Sequence, residues 1–598
     1  MTIKKLGQPA RGRRYLFSAL SILLAASIAG CGGGGSSPAA GSNDTQASVP
    51  PPNLGLEAAP VANAGSLPPL APDEPFVNNR AYSIADDGNV AEHDEGTATT
   101  HRRIKIEGKN RTYTAKAGHL LVRDKTTSQP NAAIFYTAYT LDGEETSHRP
   151  VTFFFNGGPG SPSSYLKMGS FAPMRVFTLN SSQITGPNDL RFGENPETLL
   201  DRSDLVFVDP VGTGHSVAVA PAVNKDFWGV DSDAMSLSAF VTRYLNVNNR
   251  RISPVFLFGE SYGGPRTSIM SYDLHAHFSV KLSGLILLAP AMNHYEAYTV
   301  DTPRRSPAPI SGLPVAAMTA RHFGLLGADL QAKPLDDFYK EVNDFTNGPL
   351  QEYQKKPSER TPELTREMEH RFASYSSSSY ANVLSDYDMT FEGAVDYFYG
   401  AYFNAADYLT KKLVPNKILG YYDTRKTGAP ELATQITDYL VYDPSVNDLD
   451  GYGAVHASYL YHDLKYQAAS TYWTLGSGAK IHEKWNRKTV YPNGSTLDFP
   501  DATIHLAAEM LNNTAMKVLT LAGYYDAVVQ PNKIDWDMSS LAVPKSLIDK
   551  NYSIMRFEGG HMIYADDKAR AQIRQALEGF YRSAVATSVP AMKPQEQD

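Results

Sequence analysis

One serine of this 598-residue chain lies in a setting that could make it a nucleophile. Ser261 stands in the sequence GESYGG, directly after the apolar run Val255–Phe258 and at the start of a predicted helix, Tyr262–His275. A tight strand-to-helix turn of the G-x-S-x-G kind holds a serine on strained backbone with its hydroxyl exposed, and its glycines let neighbouring backbone pass without clash. The helix N-terminus adds positive potential where an oxyanion develops. The pattern predicts a nucleophilic serine.

A nucleophilic serine needs a base, and the base needs an acid that orients it. Asp526 follows the predicted strand Val518–Leu521, and His561 follows the predicted strand Ser553–Phe557 between a pair of glycines and a methionine. Both lie just beyond the carboxyl end of a strand, where ligands bind in open α/β sheets. The order Ser, Asp, His is that of hydrolases with a nucleophile elbow. We therefore predict Ser261 as nucleophile, His561 as base and Asp526 as the orienting acid.

A glycine-rich turn of sequence NGGPG, residues 156–160, follows the predicted strand Val151–Phe155. Such a turn leaves backbone N–H groups free to bind a developing negative charge. One N–H of this turn and the N–H of Tyr262 would form an oxyanion hole, in which the loss of one donor costs about 3–4 kcal/mol of transition-state stabilisation. Taken alone, the same run also fits a purely structural turn.

The elements that must position these residues alternate between strands and helices. Short alternating segments predict an antiparallel edge meander: Arg103–Glu107, Tyr113–Ala117, His119–Arg123 and Ala133–Leu141. Later apolar runs are continuous, which is typical of strands buried on both faces of a parallel sheet: Val151–Phe155, Leu205–Val208, Val255–Phe258, Leu282–Leu288 and Val518–Leu521. Helices are predicted between and after them, including Ala234–Leu245 and Asp566–Val585. The class is α/β, and we predict an α/β-hydrolase fold with a mostly parallel central sheet.

The interval from about 300 to 500 interrupts this alternation. It contains helical segments rich in Tyr, Glu and Lys, namely Leu335–Val342, Pro362–Tyr375 and Glu392–Leu409, and no strand of the core type. We predict a helical cap over 301–500, inserted between a first core part, 76–300, and a second, 501–590.

The N-terminus predicts export. Residues 1–31 combine a basic start with an apolar run, Tyr15–Ala29, which is shorter than the roughly 20 residues of a membrane span. The tetrapeptide that ends at Cys31 resembles the bacterial lipoprotein box, in which the cysteine is lipidated. Residues 32–75 are rich in Gly, Ser, Pro and Ala, which predicts a flexible linker. Gly32 is not an aspartate, which favours the outer membrane as the destination.

The net charge and the cysteine count argue against several classes of protein function. The net charge is −8, and residues 1–31 hold five basic and no acidic residues, so the rest of the chain is more acidic still. Such a protein is a poor candidate for binding nucleic acid or anionic lipid headgroups through bulk charge. Cys31 is the single cysteine, so the body has no disulfide, no zinc-finger spacing and no thiol nucleophile. We expect neither a metal nor a cofactor.

Five motifs occur in an order that resembles the serine carboxypeptidase family, over about Arg103 to Val585. They are NGGPG at 156–160, DPVGTGHS at 209–216, GESYGG at 259–264, GYYD at 523–526 and GGHM at 559–562. The resemblance implies an α/β-hydrolase core with a helical cap. It implies Gly158 and Tyr262 as the oxyanion donors. It also implies that Asn156, Gly157 and Glu260 bind the terminal carboxylate of a peptide substrate.

The chain departs from the family pattern at several positions. Ser161, Pro162 and Ser163 replace the usual cysteine and serine after the glycine turn, and the family's disulfides are absent. Ser170 stands where a second carboxylate-binding glutamate is usual, and His215 stands where an aromatic residue is usual. These departures concern exopeptidase specificity rather than catalysis.

Three functions follow from these observations. The first is a serine carboxypeptidase that releases C-terminal residues from peptides through an acyl-enzyme on Ser261. The second is an esterase or acyltransferase on the same scaffold. The third is an inactive hydrolase that serves as a surface binding module, against which the intact Ser261, Asp526 and His561 argue. In all three, the protein is exported and held in the cell envelope by a lipid on Cys31. The sequence leaves the oligomeric state open.

Overall fold

The computed structural model describes residues 69–146, 148–177, 191–294, 312–376, 390–392, 413–428, 443–446, 450–474 and 480–588. Cys31, the predicted signal peptide, most of the linker and nearly all of the predicted helix Glu392–Leu409 lie outside these ranges. Within the described ranges, no helix combines the length and the apolarity that crossing a bilayer requires.

The strands are β1 (Phe76–Asn78), β2 (Thr97–Ile106), β3 (Lys109–Arg123), β4 (Pro130–Leu141), β5 (Val151–Phe155), β6 (Met174–Phe177), β7 (Arg191–Glu194), β8 (Asp204–Val208), β9 (Val217–Ala218), β10 (Val255–Glu260), β11 (Gly284–Leu288), β12 (Ile418–Leu419), β13 (Thr427–Gly428), β14 (Tyr466–Ala468), β15 (Thr489–Val490), β16 (Thr496–Leu497), β17 (Lys517–Gly523) and β18 (Tyr552–Phe557).

The α-helices are α1 (Ser164–Gly169), α2 (Val230–Val247), α3 (Gly263–Phe278), α4 (Gly312–His322), α5 (Ala328–Gln331), α6 (Leu335–Phe345), α7 (Gln351–Lys355), α8 (Pro362–Ser376), α9 (Asp450–His462), α10 (Thr503–Asn512), α11 (Pro531–Ser539), α12 (Lys545–Asn551) and α13 (Asp567–Ser588).

One large sheet has the strand order β18-β17-β11-β10-β5-β8-β4-β3-β2, with β9 paired to β4 beside this path. Neighbours from β18 to β8 are parallel, and β4, β3 and β2 continue as an antiparallel meander. The predicted mostly parallel sheet with an antiparallel edge is confirmed. Because parallel strands end at the same edge, the residues that follow β5, β10, β17 and β18 are collected there.

Both faces of the sheet are buried, as its continuous apolar runs predict. Successive residues of β5 alternate between two hydrophobic cores: Phe153 and Phe155 face one, and Phe154 faces the other. Helices α2 and α3 cover the first face, and α13 covers the second. The sheet therefore holds its carboxyl edge rigidly between two helical layers.

Strand β3 is unbroken where the alternation pattern predicted two separate strands on either side of Gly118. A Cβ at Gly118 would lie 2.1 Å from the carbonyl oxygen of Gly96. The glycine therefore serves a close approach of neighbouring backbone and not a turn, and the prediction of a break was wrong.

Part of the interval predicted as a cap belongs to the core. Apolar residues of α9, including Tyr452 and Tyr459, lie in the same hydrophobic core as β5 residue Phe154. Strand β14 pairs in parallel with β1. The hydroxyl of Tyr459 in α9 lies 3.2 Å from that of Tyr139 in β4, so this helix contacts the sheet. The bounds 301–500 of the predicted helical cap stay a prediction.

Candidate active site

The turn after β10 holds Ser261 in a strained backbone conformation. Its φ is +59°, in the left-handed region that non-glycine residues rarely adopt. The Ser261 N–H donates to the carbonyl of Leu288 at 2.9 Å, and its own carbonyl accepts from Gly264 at 2.9 Å. A Cβ at Gly259 would lie 2.1 Å from the Gly263 carbonyl oxygen, so only glycine fits there. This is the nucleophile elbow that the sequence predicts.

Asp526 and His561 meet at the carboxyl edge of the sheet. Asp526 Oδ2 lies 2.8 Å from His561 Nδ1, and both side chains are buried. Asp526 Oδ1 accepts the backbone N–H groups of Val528 at 2.8 Å and Val529 at 2.9 Å. The carboxylate is therefore fixed on three sides, and Nδ1 must be the protonated nitrogen when the imidazole is neutral. That leaves Nε2 as the basic nitrogen.

The charges of this pair support each other. Burial lowers the pKa of His561, but attraction to Asp526 and Glu260 outweighs burial and raises the pKa above its ordinary value. Burial raises the pKa of Asp526, and its bond with His561 opposes that rise. Among the hydrogen bonds of the described residues, none joins the Ser261 hydroxyl to His561. Such contacts often tighten only when substrate binds, and the serine hydroxyl turns about a single bond.

The glycine turn after β5 packs directly on the elbow. A Cβ at Gly157 would lie 2.7 Å from each of three elbow atoms: the Glu260 carbonyl oxygen, Ser261 Cβ and Tyr262 N. In the described part of the chain, neither the N–H of Gly158 nor that of Tyr262 donates a hydrogen bond to a protein acceptor. Two donors beside the serine are thus available to a developing oxyanion. Their role as an oxyanion hole stays a prediction.

Asn156 and Glu260 form a direct pair beside the elbow. Asn156 Nδ2 donates to Glu260 Oε2 at 2.6 Å, and Asn156 Oδ1 accepts the N–H of Leu166 at 3.0 Å. The Leu166 N–H can only donate, so it fixes the orientation of the amide and points the NH₂ group at Glu260. The Asn156 side chain also interacts with the hydroxyl of Tyr564.

Glu260 is a buried carboxyl with an unusual protonation equilibrium. Burial raises its pKa to about 7, against the opposing effects of His561, Tyr564 and Asn156. Near neutral pH it therefore exists in comparable protonated and ionised populations. A protonated carboxyl donates a hydrogen bond to another carboxylate, whereas an ionised one repels it.

Three residues that the sequence did not single out also position the site. Tyr422 accepts the His561 N–H through its carbonyl at 2.6 Å and packs its ring against the imidazole at 5.3 Å between centroids. Arg266, buried and paired with Asp233, donates to the Asn156 carbonyl. Tyr564 contacts Glu260. Their partners are far away in sequence, so no local pattern could have identified them.

The departures from the family pattern have structural explanations. The N–H of Ser163 donates to Asp209 Oδ1 at 2.9 Å, and its hydroxyl accepts the Asn156 N–H at 3.3 Å, so this serine anchors the turn. The Ser170 hydroxyl is buried and donates to the Leu166 carbonyl at 2.5 Å. His215 is buried among aromatic rings, including Phe135 at 5.2 Å between centroids.

The described residues contain no group of three or more His, Cys, Asp or Glu side chains arranged to hold a metal ion. The sheet order, the strained serine turn and the Asp526–His561 pair define an α/β-hydrolase fold with the elements of a serine hydrolase.

A family model described as serine carboxypeptidase matches residues 107–416, a little over half of the chain. The chain belongs to the serine carboxypeptidase family, as its motifs indicated. The retinoid-inducible serine carboxypeptidase of Rattus norvegicus is 32% identical over 159 residues, which are 26% of this chain and 32% of that protein. Serine carboxypeptidase S10 family member 1 of Dictyostelium discoideum is 26% identical over 176 residues, 28% of this chain and 39% of that protein. These alignments span about a third of each relative's length.

Solved structures were also matched. A proline iminopeptidase of Mycobacterium smegmatis matches with 12% identity and a TM-score of 0.33, covering 79% of this chain and 100% of that chain. VinJ matches with 14% identity and a TM-score of 0.30, covering 78% of this chain and 99% of that chain.

Proposed function

We propose that this protein is a serine carboxypeptidase that releases C-terminal residues from peptides through an acyl-enzyme on Ser261. The observation that carries the proposal is the hydrogen bond from Asn156 Nδ2 to Glu260 Oε2, at 2.6 Å. Glu260 is the residue directly before Ser261. A hydrolase that cleaves within a chain or cleaves an ester has no need for a protonatable carboxyl and an amide donor at this point. An exopeptidase does, because it must bind a terminal carboxylate next to the scissile bond.

The proposed reaction has two halves. Ser261 Oγ attacks the scissile carbonyl while His561 Nε2 takes the hydroxyl proton, and the N–H groups of Gly158 and Tyr262 bind the resulting oxyanion. The C–N bond then breaks, and the departing amino acid takes that proton from His561. A water molecule attacks the acyl-enzyme, again giving a proton to His561, and Ser261 recovers it as the peptide acid leaves. Asp526 stabilises the imidazolium in both halves.

Terminal carboxylate binding is assigned to Asn156, Gly157 and protonated Glu260. Protonated Glu260 and Asn156 each donate a hydrogen bond to the substrate carboxylate. Gly157 contributes by having no side chain, because a Cβ there would collide with the elbow. Ionisation of Glu260 places a negative charge against the substrate carboxylate and weakens binding. Peptide binding should therefore weaken as pH rises through about 7, the pKa of Glu260.

The test compares three substrates with the same acyl group: a dipeptide with a free C-terminal carboxylate, its C-terminal amide and an ethyl ester. KM is measured against pH for the wild-type enzyme and for Glu260→Gln. We expect KM of the free dipeptide to rise with pH through about 7 in the wild type, while KM of the other two substrates stays flat. Glu260→Gln should flatten the dipeptide profile, since an amide donates at every pH.

The same test addresses the alternatives. If KM depends on pH in the same way for all three substrates of the wild-type enzyme, Glu260 does not recognise a carboxylate. The esterase or acyltransferase function would then be the better description. Failure of Ser261 to react with a fluorophosphonate probe would favour an inactive binding module.

We also propose that the protein is exported and held in the cell envelope, in the outer membrane, by a lipid on Cys31. The lipoprotein-like box, the single cysteine and the linker over 32–75 support this location. A linker of this composition would hold the hydrolase body away from the membrane surface.

A further inference from the structure

Tyr564 contacts Glu260, although neither the motifs nor the family resemblance indicated it. Its hydroxyl donates to Glu260 Oε2 at 3.0 Å and lies 3.3 Å from Oε1. The same hydroxyl meets the side chain of Asn156. Tyr564 lies in the short helical turn Ile563–Ala565, which begins two residues after His561. The turn that follows the predicted base therefore also supplies a hydrogen-bond donor to the carboxyl that precedes the nucleophile.

The protein holds Tyr564 tightly in this place. The side chain is fully buried. Its ring lies over Gly169 in α1, where a Cβ would be 2.8 Å from Tyr564 and 3.0 Å from Tyr452. Its backbone carbonyl accepts a hydrogen bond from Arg570, itself buried, at 2.9 Å. Because packing already fixes this hydroxyl, little conformational entropy is lost at Tyr564 when substrate binds.

The groups that face Glu260 come from several elements. His561 and Asp526 act on it through their charges, Tyr564 and Asn156 through hydrogen bonds. Burial and the nearby Glu260 charge raise the pKa of Tyr564 well above its ordinary value. The phenol therefore stays neutral and remains a donor throughout the pH range in which the site would work. Unlike a second carboxyl, a neutral donor never repels a substrate carboxylate.

We propose that Tyr564 is a positioning residue for substrate specificity, and that its hydroxyl is the second side-chain partner of Glu260 in a chain that has Ser170 where the family pattern has a second carboxyl. It holds Glu260 in line with Asn156 for recognition of a peptide's terminal carboxylate. Ser170 itself cannot do this, because its hydroxyl is committed to the Leu166 carbonyl. This inference rests on the proposed carboxypeptidase function.

Tyr564→Phe tests the proposal through the pH dependence of KM for the free dipeptide. The hydroxyl stabilises the ionised form of Glu260, so its removal should raise the pKa of Glu260. The rise of KM should then move to higher pH by about one unit, the effect expected of one hydrogen bond to a charged group. KM for the ethyl ester, which has no terminal carboxylate, should stay independent of pH in this variant, as in the wild type. An unchanged midpoint, or one at lower pH, would overturn the proposal.

Replacement of Tyr564 by 3-fluorotyrosine gives a second test with little risk to folding. The fluorinated phenol is a stronger donor, so the midpoint should move to lower pH, opposite to the phenylalanine variant. Tyr581→Phe is the matched control, because Tyr581 is also a buried tyrosine of the C-terminal region, and its hydroxyl contacts Thr152 at 2.7 Å instead of Glu260. Its midpoint should equal that of the wild type, and a shift as large as that of Tyr564→Phe would contradict a specific role.

The carboxypeptidase function and the role of Tyr564 can be refuted independently of each other. If KM of the wild-type enzyme depends on pH in the same way for the dipeptide and the ester, the proposed carboxypeptidase function itself is wrong. If the wild-type dipeptide profile depends on pH as expected but Tyr564→Phe leaves its midpoint in place, only the role of Tyr564 is wrong. In a Glu260→Gln background, Tyr564→Phe should no longer change the pH profile, because the group that titrates is gone.

Discussion

Asp526→Asn separates the orienting role of this residue from its contribution to the fold. Asp526 Oδ1 accepts two backbone N–H groups, at 2.8 and 2.9 Å, while Oδ2 contacts His561 Nδ1 at 2.8 Å. In the variant, the amide oxygen must remain where the two backbone donors point, because the NH₂ group cannot accept them. The NH₂ group then faces His561, so Nδ1 becomes the acceptor and the ring proton moves to Nε2.

The expected loss follows from this forced tautomer. An imidazole that carries its proton on Nε2 cannot take the proton of Ser261. In serine hydrolases this change lowers kcat by about 10⁴-fold, which corresponds to roughly 5.4 kcal/mol of transition-state stabilisation. The variant keeps the volume of the side chain and both backbone hydrogen bonds, so we expect Tm to change by no more than a few degrees.

The assay measures kcat for the ethyl ester and the rate of fluorophosphonate labelling, with Tm as the check on folding. Asp501→Asn is the matched control. Asp501 is also buried, and its Oδ1 accepts the N–H of Thr503 at 3.1 Å at the start of α10, where asparagine serves equally well. We expect wild-type kcat from this control. An Asp526→Asn enzyme that keeps more than about a tenth of the wild-type kcat would refute the argument, because the tautomer of His561 would not depend on this carboxylate.

Four further variants test other parts of the site and the location. Ser261→Ala should abolish ester turnover and fluorophosphonate labelling with little change in Tm, and labelling that persists would place the nucleophile elsewhere. Gly157→Ala should lower kcat by about 10²-fold or more, because its Cβ would lie 2.7 Å from three elbow atoms; wild-type kcat would show that the turn can move aside. Glu260→Gln should shift the acid limb of the ester profile to lower pH, since the Glu260 charge helps to raise the pKa of His561; a shift to higher pH would contradict this coupling. Cys31→Ser should release the protein from membrane fractions while preserving its specific activity, and a variant still found with membranes would exclude the lipid as anchor.

The types and order of the reactive residues were predictable because each is marked by local sequence. An apolar run followed by glycine marks the end of a buried strand before Ser261 and Asp526, whereas His561 follows a pair of glycines after the partly exposed strand β18. The continuous runs also determined that the sheet is parallel and buried on both faces. These features are local because a strand and its terminating turn are formed by neighbouring residues.

The rise in the pKa of Glu260 was predictable from the sequence, but the residues that contact its carboxyl group were not. Its place beside the nucleophile under a predicted cap suggested desolvation, and burial does raise its pKa to about 7. No sequence motif indicated Tyr564, which contacts Glu260 although the two residues are 304 positions apart in the chain. Nor did any motif indicate Tyr422, whose carbonyl holds the backbone of His561.

Only the tertiary structure decided which segments close the site and which complete the core. Helix α9 lies within the interval that the sequence predicts as a cap, yet its Tyr459 contacts Tyr139 of the sheet strand β4. The predicted strands Tyr113–Ala117 and His119–Arg123 left Gly118 between them, yet this glycine admits neighbouring backbone within a continuous strand. In both cases the structure depends on which element packs against the residue. The sequence specifies the polarity and size of each side chain, but the packing of elements that are distant in the chain determines which residues surround it.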